Sequence, residues 1–449
     1  MKRFEARKLK EQEKNQLREI MKFMNHFVKD LFKKLNSVKD PRHQSYTKYE
    51  IYQLLFVIIM KNVTNIETMS GMTTEFNTNA SVNNFKLLLG DEENDDIPHY
   101  VTINNLLKRL KPEELERVKK EMIKEIIRRK TFNGARLFKE SWKVIIDATY
   151  VFSFNKRHCE HCLTQTFNRG KENEHTVYSH KILEAKLILS DDIIISIGTE
   201  FIENEGENVT KQDSELKAFK RLSQKMKKDY PRLPIVILAD SLYANETVMN
   251  ICADKKWDYI IRFKDGSIPT LAEEFYSLVD LVEDPEKEFI KDTCWINKID
   301  YKEKKVNIFK FLKPIKVKEL NEDGEEEEKI TTFKWLTNLE ITEEKVEELI
   351  DTGRERWKIE NEGFNIQKNE RYNITHVNST DYNAMKNHYQ LIQIADVFLQ
   401  IYTSGNDMVK KLKKSIKKIS SDILKWLTTT ILSKDDISYI QKRTTIHFV

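Results

Sequence analysis

The chain is 449 residues long, room for about three domains, with 76 lysines and arginines against 72 aspartates and glutamates and a net charge of +4. Apolar residues at 39% and aromatics at 10% exclude a disordered chain, and 11 glycines with 8 prolines exclude a collagen-like or linker-rich one. Four cysteines are too few for a disulfide scaffold, no apolar run follows Met1 to Glu5, and none approaches the roughly 20 residues of a membrane span, so a soluble, cytoplasmic protein is expected.

In chain order, Leu17, Ile20, Met21, Met24, Phe27, Leu31 and Leu35 recur at helical spacing. Residues 47–61 read as a buried helix, with Thr47 and Glu50 spaced as a capping box. Thr102–Lys111 and 113–130 give two more helices, so residues 1–135 are expected to form an all-helical domain. Val144 to Asp147 is then a short strand. Residues 182–189 and 193–201 read as two strands, 215–229 as a helix, Ile235 to Asp240 as a strand, 243–256 as a helix and Tyr259 to Phe263 as a strand. Residues 285–338 alternate in short stretches around an acidic tip at 321–328 and predict a β-rich insertion, where core packing is the expected role of Trp295 and Trp335. Helices return over 342–371 and 382–402, and 409–432 is a basic helix or pair. The expected division is therefore 1–135, a core at 136–284, the insertion at 285–338, the rest of the core at 339–405 and a C-terminal region at 406–449.

The small net charge hides larger local ones. Residues 1–36 carry eleven basic and five acidic side chains, residues 105–139 twelve and five, and residues 409–419 six lysines and no acid. Segments like these would attract a phosphate backbone, although the solvated faces of surface helices look the same.

Two predicted strands end in aspartate, Asp147 and Asp240, and Glu360 lies on a later helix. Arg356, Glu360 and Phe364 are spaced by four and share a face. Taken singly, a strand-end aspartate is most often a cap and a helix glutamate near an arginine a surface pair; the joint order is far more specific. Two aspartates and a glutamate make a hard oxygen set suited to Mg²⁺ or Mn²⁺. Two such ions about 4 Å apart activate a nucleophilic oxygen and stabilise the leaving oxygen of a phosphodiester. Arg356 and Lys368 stand close enough in sequence to contact phosphate.

On these residues the sequence resembles bacterial insertion-sequence transposases of the DDE class, over about residues 40–405. The matching stretches are Val144–Thr149, Ile237–Ala244, Thr337–Leu339 and Arg354–Lys368. The family's last catalytic helix carries Tyr-x2-Arg-x3-Glu-x6-Lys. Arg356 and Glu360 fit it, whereas Gly353 stands at the tyrosine position and Gln367 at the lysine position, with Lys368 one further on. Glu362 competes with Glu360 but lies about 200° round the helix. The resemblance implies an α/β protein with an RNase H-like mixed sheet, flanking helices, the β-rich insertion and the helical N-terminal domain. It implies that Asp147, Asp240 and Glu360 hold two Mg²⁺ (or Mn²⁺) ions, that double-stranded DNA is cut at the ends of a mobile element and joined to target DNA, and that two subunits meet in a synaptic homodimer. Sequence recognition would fall to the N-terminal helices and non-specific DNA contact to Lys410, Lys413 and Lys414. A catalytically silent DNA-binding descendant and an endonuclease without strand transfer are the alternatives.

His158-Cys159-Glu160-His161-Cys162, with His175 and His180 beyond at finger-like spacing, has the composition of a structural zinc site. Reduced thiols and solvent-facing histidines in a loop are the plainer alternative. His180 could instead line the catalytic cleft.

Overall fold

The computed structural model describes residues 16–91, 93–207, 209–282, 292–320, 326–406, 409–410 and 414–442. Residues 1–15 of the basic N-terminal segment, residues 321–325 of the acidic tip and Lys413 lie outside the described residues.

The chain begins with helices α1 (Gln16–Phe27), α2 (Leu31–Asn36), α3 (Ile51–Val63), α4 (Met69–Phe76), α5 (Asn79–Leu89), α6 (Tyr100–Arg109) and α7 (Pro112–Arg128). The buried helix expected over 47–61 starts later, because the capping box is Glu50 with Gln53 rather than Thr47 with Glu50. Glu50 N–H donates to Gln53 Oε1 at 2.8 Å, while the Thr47 hydroxyl closes the preceding turn on the Gln44 carbonyl. Helices α4 and α5 escape a reading by periodicity, since each is short and opens on threonine, Thr68 or Thr78, which accepts from a backbone N–H of the first turn.

The sheet follows. Its strands are β1 (Trp142–Phe154), β2 (Leu163–Phe167), β3 (His175–Ser190), β4 (Ile193–Ile202), β5 (Ile235–Ala239), β6 (Asp258–Arg262), β7 (Thr293–Tyr301), β8 (Lys304–Leu320) and β9 (Glu326–Thr337). Between them lie α8 (Glu215–Asp229), α9 (Glu246–Lys255) and α10 (Pro269–Val282). β4, β3 and β1 run antiparallel in turn, while β5 and β6 run parallel to β1. The resulting order β4-β3-β1-β5-β6, flanked by helices, is the RNase H-like arrangement. The short β2 pairs with the first half of β3, on the edge that β4 occupies further along.

The β-rich insertion is a three-stranded meander, β7-β8-β9. It is continuous with the main sheet, because β9 pairs antiparallel with β6, Ile260 against Thr337 and Arg262 against Trp335. Trp335 is packed between Phe309 and Phe333.

The chain closes with α11 (Glu343–Arg354), a 3₁₀ turn at Glu355–Trp357, the wide π-type helix α12 (Ile359–Glu370), α13 (Tyr382–Gly405), α14 (Ile416–Thr429) and α15 (Lys434–Gln441). α13 is buried nearly throughout and packs on α3, α6, α7 and β4. A side chain such as Leu391 or Ile394 contributes about 1.5–3 kcal/mol when fully buried, so this helix ties the N-terminal helices to the sheet. α14 packs against α5 and α1, and α15 against α1. No described helix is long and apolar enough to cross a membrane.

Candidate active site

Asp147 and Asp240 come from neighbouring parallel strands. The β1–β5 register pairs Val144 with Ile237 and Ile145 with Leu238; continued two residues, it sets Asp147 level with Asp240. The expectation that Asp147 closes its strand needs correction. β1 continues to Phe154 because β3 goes on pairing with it, so Asp147 sits inside the strand, just past the point where β5 leaves. Asp240 does close β5, and its carboxylate accepts the N–H of Leu242 at 2.9 Å.

Burial pushes the Asp147 carboxyl up to about 6. The Ala148 N–H and Arg356 oppose that rise, and the negative charges of Asp240 and Glu215 add to it. Arg356 Nη1 lies 3.7 Å from Asp147 Oδ2, and its guanidinium stacks over Trp357, whose ring is half exposed. Lys368 Nζ donates to Thr149 Oγ1 at 2.5 Å, two residues along β1 from Asp147. Burial lowers the Lys368 ammonium, and the charges of Glu360 and Asp147 hold it up, so these three groups share one electrostatic neighbourhood. Glu362 lies elsewhere: burial raises it, Lys358 lowers it, and Asp192 and Asp191 raise it further.

The two departures from the family signature have structural causes. At Gly353 an added Cβ would meet the Trp335 ring at 2.6 Å, so the tryptophan fills the space in which a tyrosine side chain would start. Gln367 is buried and donates to Asp396 Oδ2 at 2.7 Å, away from the carboxylates. In a π-type helix the hydrogen bonds span five residues instead of four. That widening advances the residue eight past Glu360 towards the place an ordinary helix gives the seventh, so the lysine facing Thr149 is Lys368.

Several neighbours carry no signal in the sequence. Arg262 ends β6 over Phe333 and Trp335, and burial together with Arg356 lowers it. Glu215, the first residue of α8, acts on Asp147 and pairs with Lys181 at 3.3 Å. Beside the aspartates, Tyr150, Gln165, Lys181, Glu215 and Leu242 line an open cleft of about 380 Å³.

The carboxylates suit a cation by chemistry: all are hard oxygen donors, and the mutual repulsion of Asp147 and Asp240 is of the kind a divalent ion relieves. They do not gather their oxygens as closely as one other group does. Among the described residues only Cys159, Cys162 and His180 bring three ligand atoms within 4.8 Å of one another. Of the other histidines expected there, none joins that group: His158 stacks on Phe154 and His161 Nδ1 is 2.9 Å from the Asn204 carbonyl, both near enough to act on His180, while His175 stacks on Phe167 where β2 pairs with β3. His180 does not line the cleft; it is fully buried.

Of the lysines expected to meet DNA, Lys414 pairs with Asp422 at 2.9 Å, and Lys410 lies with it beside a second hollow that Glu362 also lines. Much of the charge at 105–139 is used internally. Arg117 pairs with Glu114 and Glu121, Lys120 with Asp229, and the wholly buried Lys119 donates to Ser196 and Thr199.

Residues 198–396 match the family described as Transposase DDE domain, and residues 32–122 match the one described as DDE_Tnp_1-associated. These matches make the chain similar to the DDE transposases over both its core and the helical region before it. A cryo-EM structure of a piggyBac transposase synaptic complex with hairpin DNA aligns with 95% of this chain and 86% of its own, at 13% identity and a TM-score of 0.40, a likeness too loose to argue from. No curated protein matches the chain.

Proposed function

We propose that this protein cuts double-stranded DNA at the ends of a mobile element and joins the freed end to target DNA, using Asp147, Asp240 and Glu360. The observation that carries the reading is the level placement of Asp147 and Asp240 on adjacent parallel strands, with Arg356 and Lys368 brought over them from the segment that bears Glu360. The three carboxylates would hold two Mg²⁺ or Mn²⁺ ions. Such ions supply a nucleophilic oxygen at neutral pH and charge stabilisation on the leaving oxygen.

The remaining work falls to the chain's own groups. Arg356 and Lys368 would grip the phosphates either side of the scissile bond through charge-assisted hydrogen bonds. Arg262, close behind Arg356, adds positive field. The open cleft beside Tyr150 and Leu242 leaves room for the strand to approach. Lys410, Lys413 and Lys414 would add non-specific contacts, the N-terminal helices would read the element ends, and a homodimer would bring two ends together.

The test uses labelled DNA flanking the gene, in Mg²⁺ and in EDTA. Metal-dependent cleavage at matched inverted ends, with joined products, is expected of the wild type. Asp147→Ala, Asp240→Ala and Glu360→Ala should each abolish cleavage and leave DNA binding largely intact. Full activity in any one variant removes that residue from the site. Cleavage without joined products would make the protein an endonuclease, and binding alone a silent descendant.

A further inference from the structure

We infer that Cys159 Sγ, Cys162 Sγ and His180 Nε2 form a zinc site that fastens the loop after β1 to strand β3. The two sulfurs are 3.8 Å apart and lie 3.4 Å and 3.5 Å from the ring nitrogen. With zinc–sulfur bonds of about 2.3 Å and a zinc–nitrogen bond of about 2.0 Å, a tetrahedral ion places its ligand atoms about 3.8 Å (sulfur to sulfur) and about 3.5 Å (sulfur to nitrogen) apart. The three observed spacings are those of one tetrahedral face.

The surroundings favour an ion over a chance meeting of thiols. Cys159 and Cys162 stand in a tight turn, closed by the Cys162 N–H on the Cys159 carbonyl. Both face a histidine held on its flat side by Tyr382, at 4.1 Å between ring centres, and edge-on by Phe152 and Phe154. His180 Nδ1 is buried without a hydrogen-bond partner, so nothing in the described structure other than packing and the two sulfurs orients the ring. Soft thiolates with one imidazole select zinc over Mg²⁺, which separates this site from the carboxylates. Binding would release two protons, one from each thiol, and leave the ring neutral. Cys159 is partly exposed, so the fourth ligand can be a water reaching the ion from that side.

The ion would act on the arm. Residues 155–162 join β1, which carries Asp147, to β2, and β2 pairs with His175–Ser179 to form a hairpin whose tip exposes Arg169 and Lys171. Fixing Cys159 and Cys162 to His180 roots that hairpin where β1 and β3 still pair, Phe152 opposite His180. The site is independent of the catalytic reading.

The test is metal analysis of the full-length protein purified without chelator. About one zinc per chain is expected. It should survive in Asp147→Ala/Asp240→Ala and in His175→Ala, and be lost in Cys159→Ser/Cys162→Ser and in His180→Ala. Should the cysteine variant fail to fold, cobalt loaded into the wild type must give a thiolate-to-metal charge-transfer band, and a thiol reagent must release zinc as two thiols react. Wild type that carries no zinc and takes up no cobalt overturns the site. So does zinc retained in full by His180→Ala, or a Cys159–Cys162 disulfide in the purified chain.

Discussion

At position 353 there is no room for any side chain, since Trp335 stands 2.6 Å from where a Cβ would be. Alanine is the better helix former by about 1 kcal/mol, yet Gly353→Ala should lower stability by about 1–3 kcal/mol, the usual cost of overpacking. Denaturant unfolding measures this, and a gain in stability would show that Trp335 yields freely. Asp147 lends itself to a pH test. Its carboxyl sits at about 6 in the fold against an ordinary 3.8. Below about pH 4 it is protonated whether folded or not, and costs nothing. Between about 4 and 6 only the unfolded chain ionises it, so a penalty builds up, and above 6 the penalty is complete. Asp147→Asn should therefore stabilise the metal-free protein at pH 7.5 by up to about 3 kcal/mol, with the gain vanishing near pH 4. Equal gains at both pH values would contradict the cause assigned here.

At the scale of elements, the helix bearing Glu360 is held from behind. Gln367 on α12 and Arg371 just past its end bond to Asp396 on α13, and Gln400 and Gln393 extend the network to Ile194 on β4 and Lys186 on β3, all of it buried. Asp396→Ala would leave Arg371 as an uncompensated buried charge and should cost about 3–5 kcal/mol. In a variant that still folds, cleavage should fall while DNA binding holds; unchanged stability would show the network to be idle. Little of this was legible in the sequence, because helical spacing over 382–402 does not say which partners Gln393, Asp396 and Gln400 meet. Elements with a single strong cause were legible, as with α8 over 215–229 and the five-residue apolar β5. The candidate site was half legible. Asp240, Arg356 and Glu360 follow from motif and spacing, whereas the length of β1 beyond Asp147 depends on β3, and the placement of Lys368 on how α12 winds. His180 was legible only as one of several histidines near the two cysteines, because strand β3, not proximity in sequence, decides which of them reaches the thiols.

Across the whole molecule, contacts run between regions that the sequence separates. Lys119 on α7 is buried against Ser196 and Thr199 of β4, and Thr199 donates to Glu184 of β3, so a helix of the N-terminal region places a charge inside the sheet. β9 occupies the edge of β6. Removing residues 293–337 should thus expose a central strand as a bare edge rather than trim an appendage, and the shortened chain is expected to aggregate. Recovery of a monomeric, cooperatively unfolding protein after that deletion would show the meander to be dispensable.

The contact between Trp335 and Gly353 also bears on descent. A tyrosine at 353 and a tryptophan at 335 exclude each other, so neither position is free to drift alone. A lineage moving between the two arrangements must first pass through a small residue at 335, losing the stack on Phe309 and Phe333 before anything replaces it. Such a step is costly in a marginally stable fold. Positions 335 and 353 should therefore be inherited together as a pair, one on each side of the boundary between insertion and core.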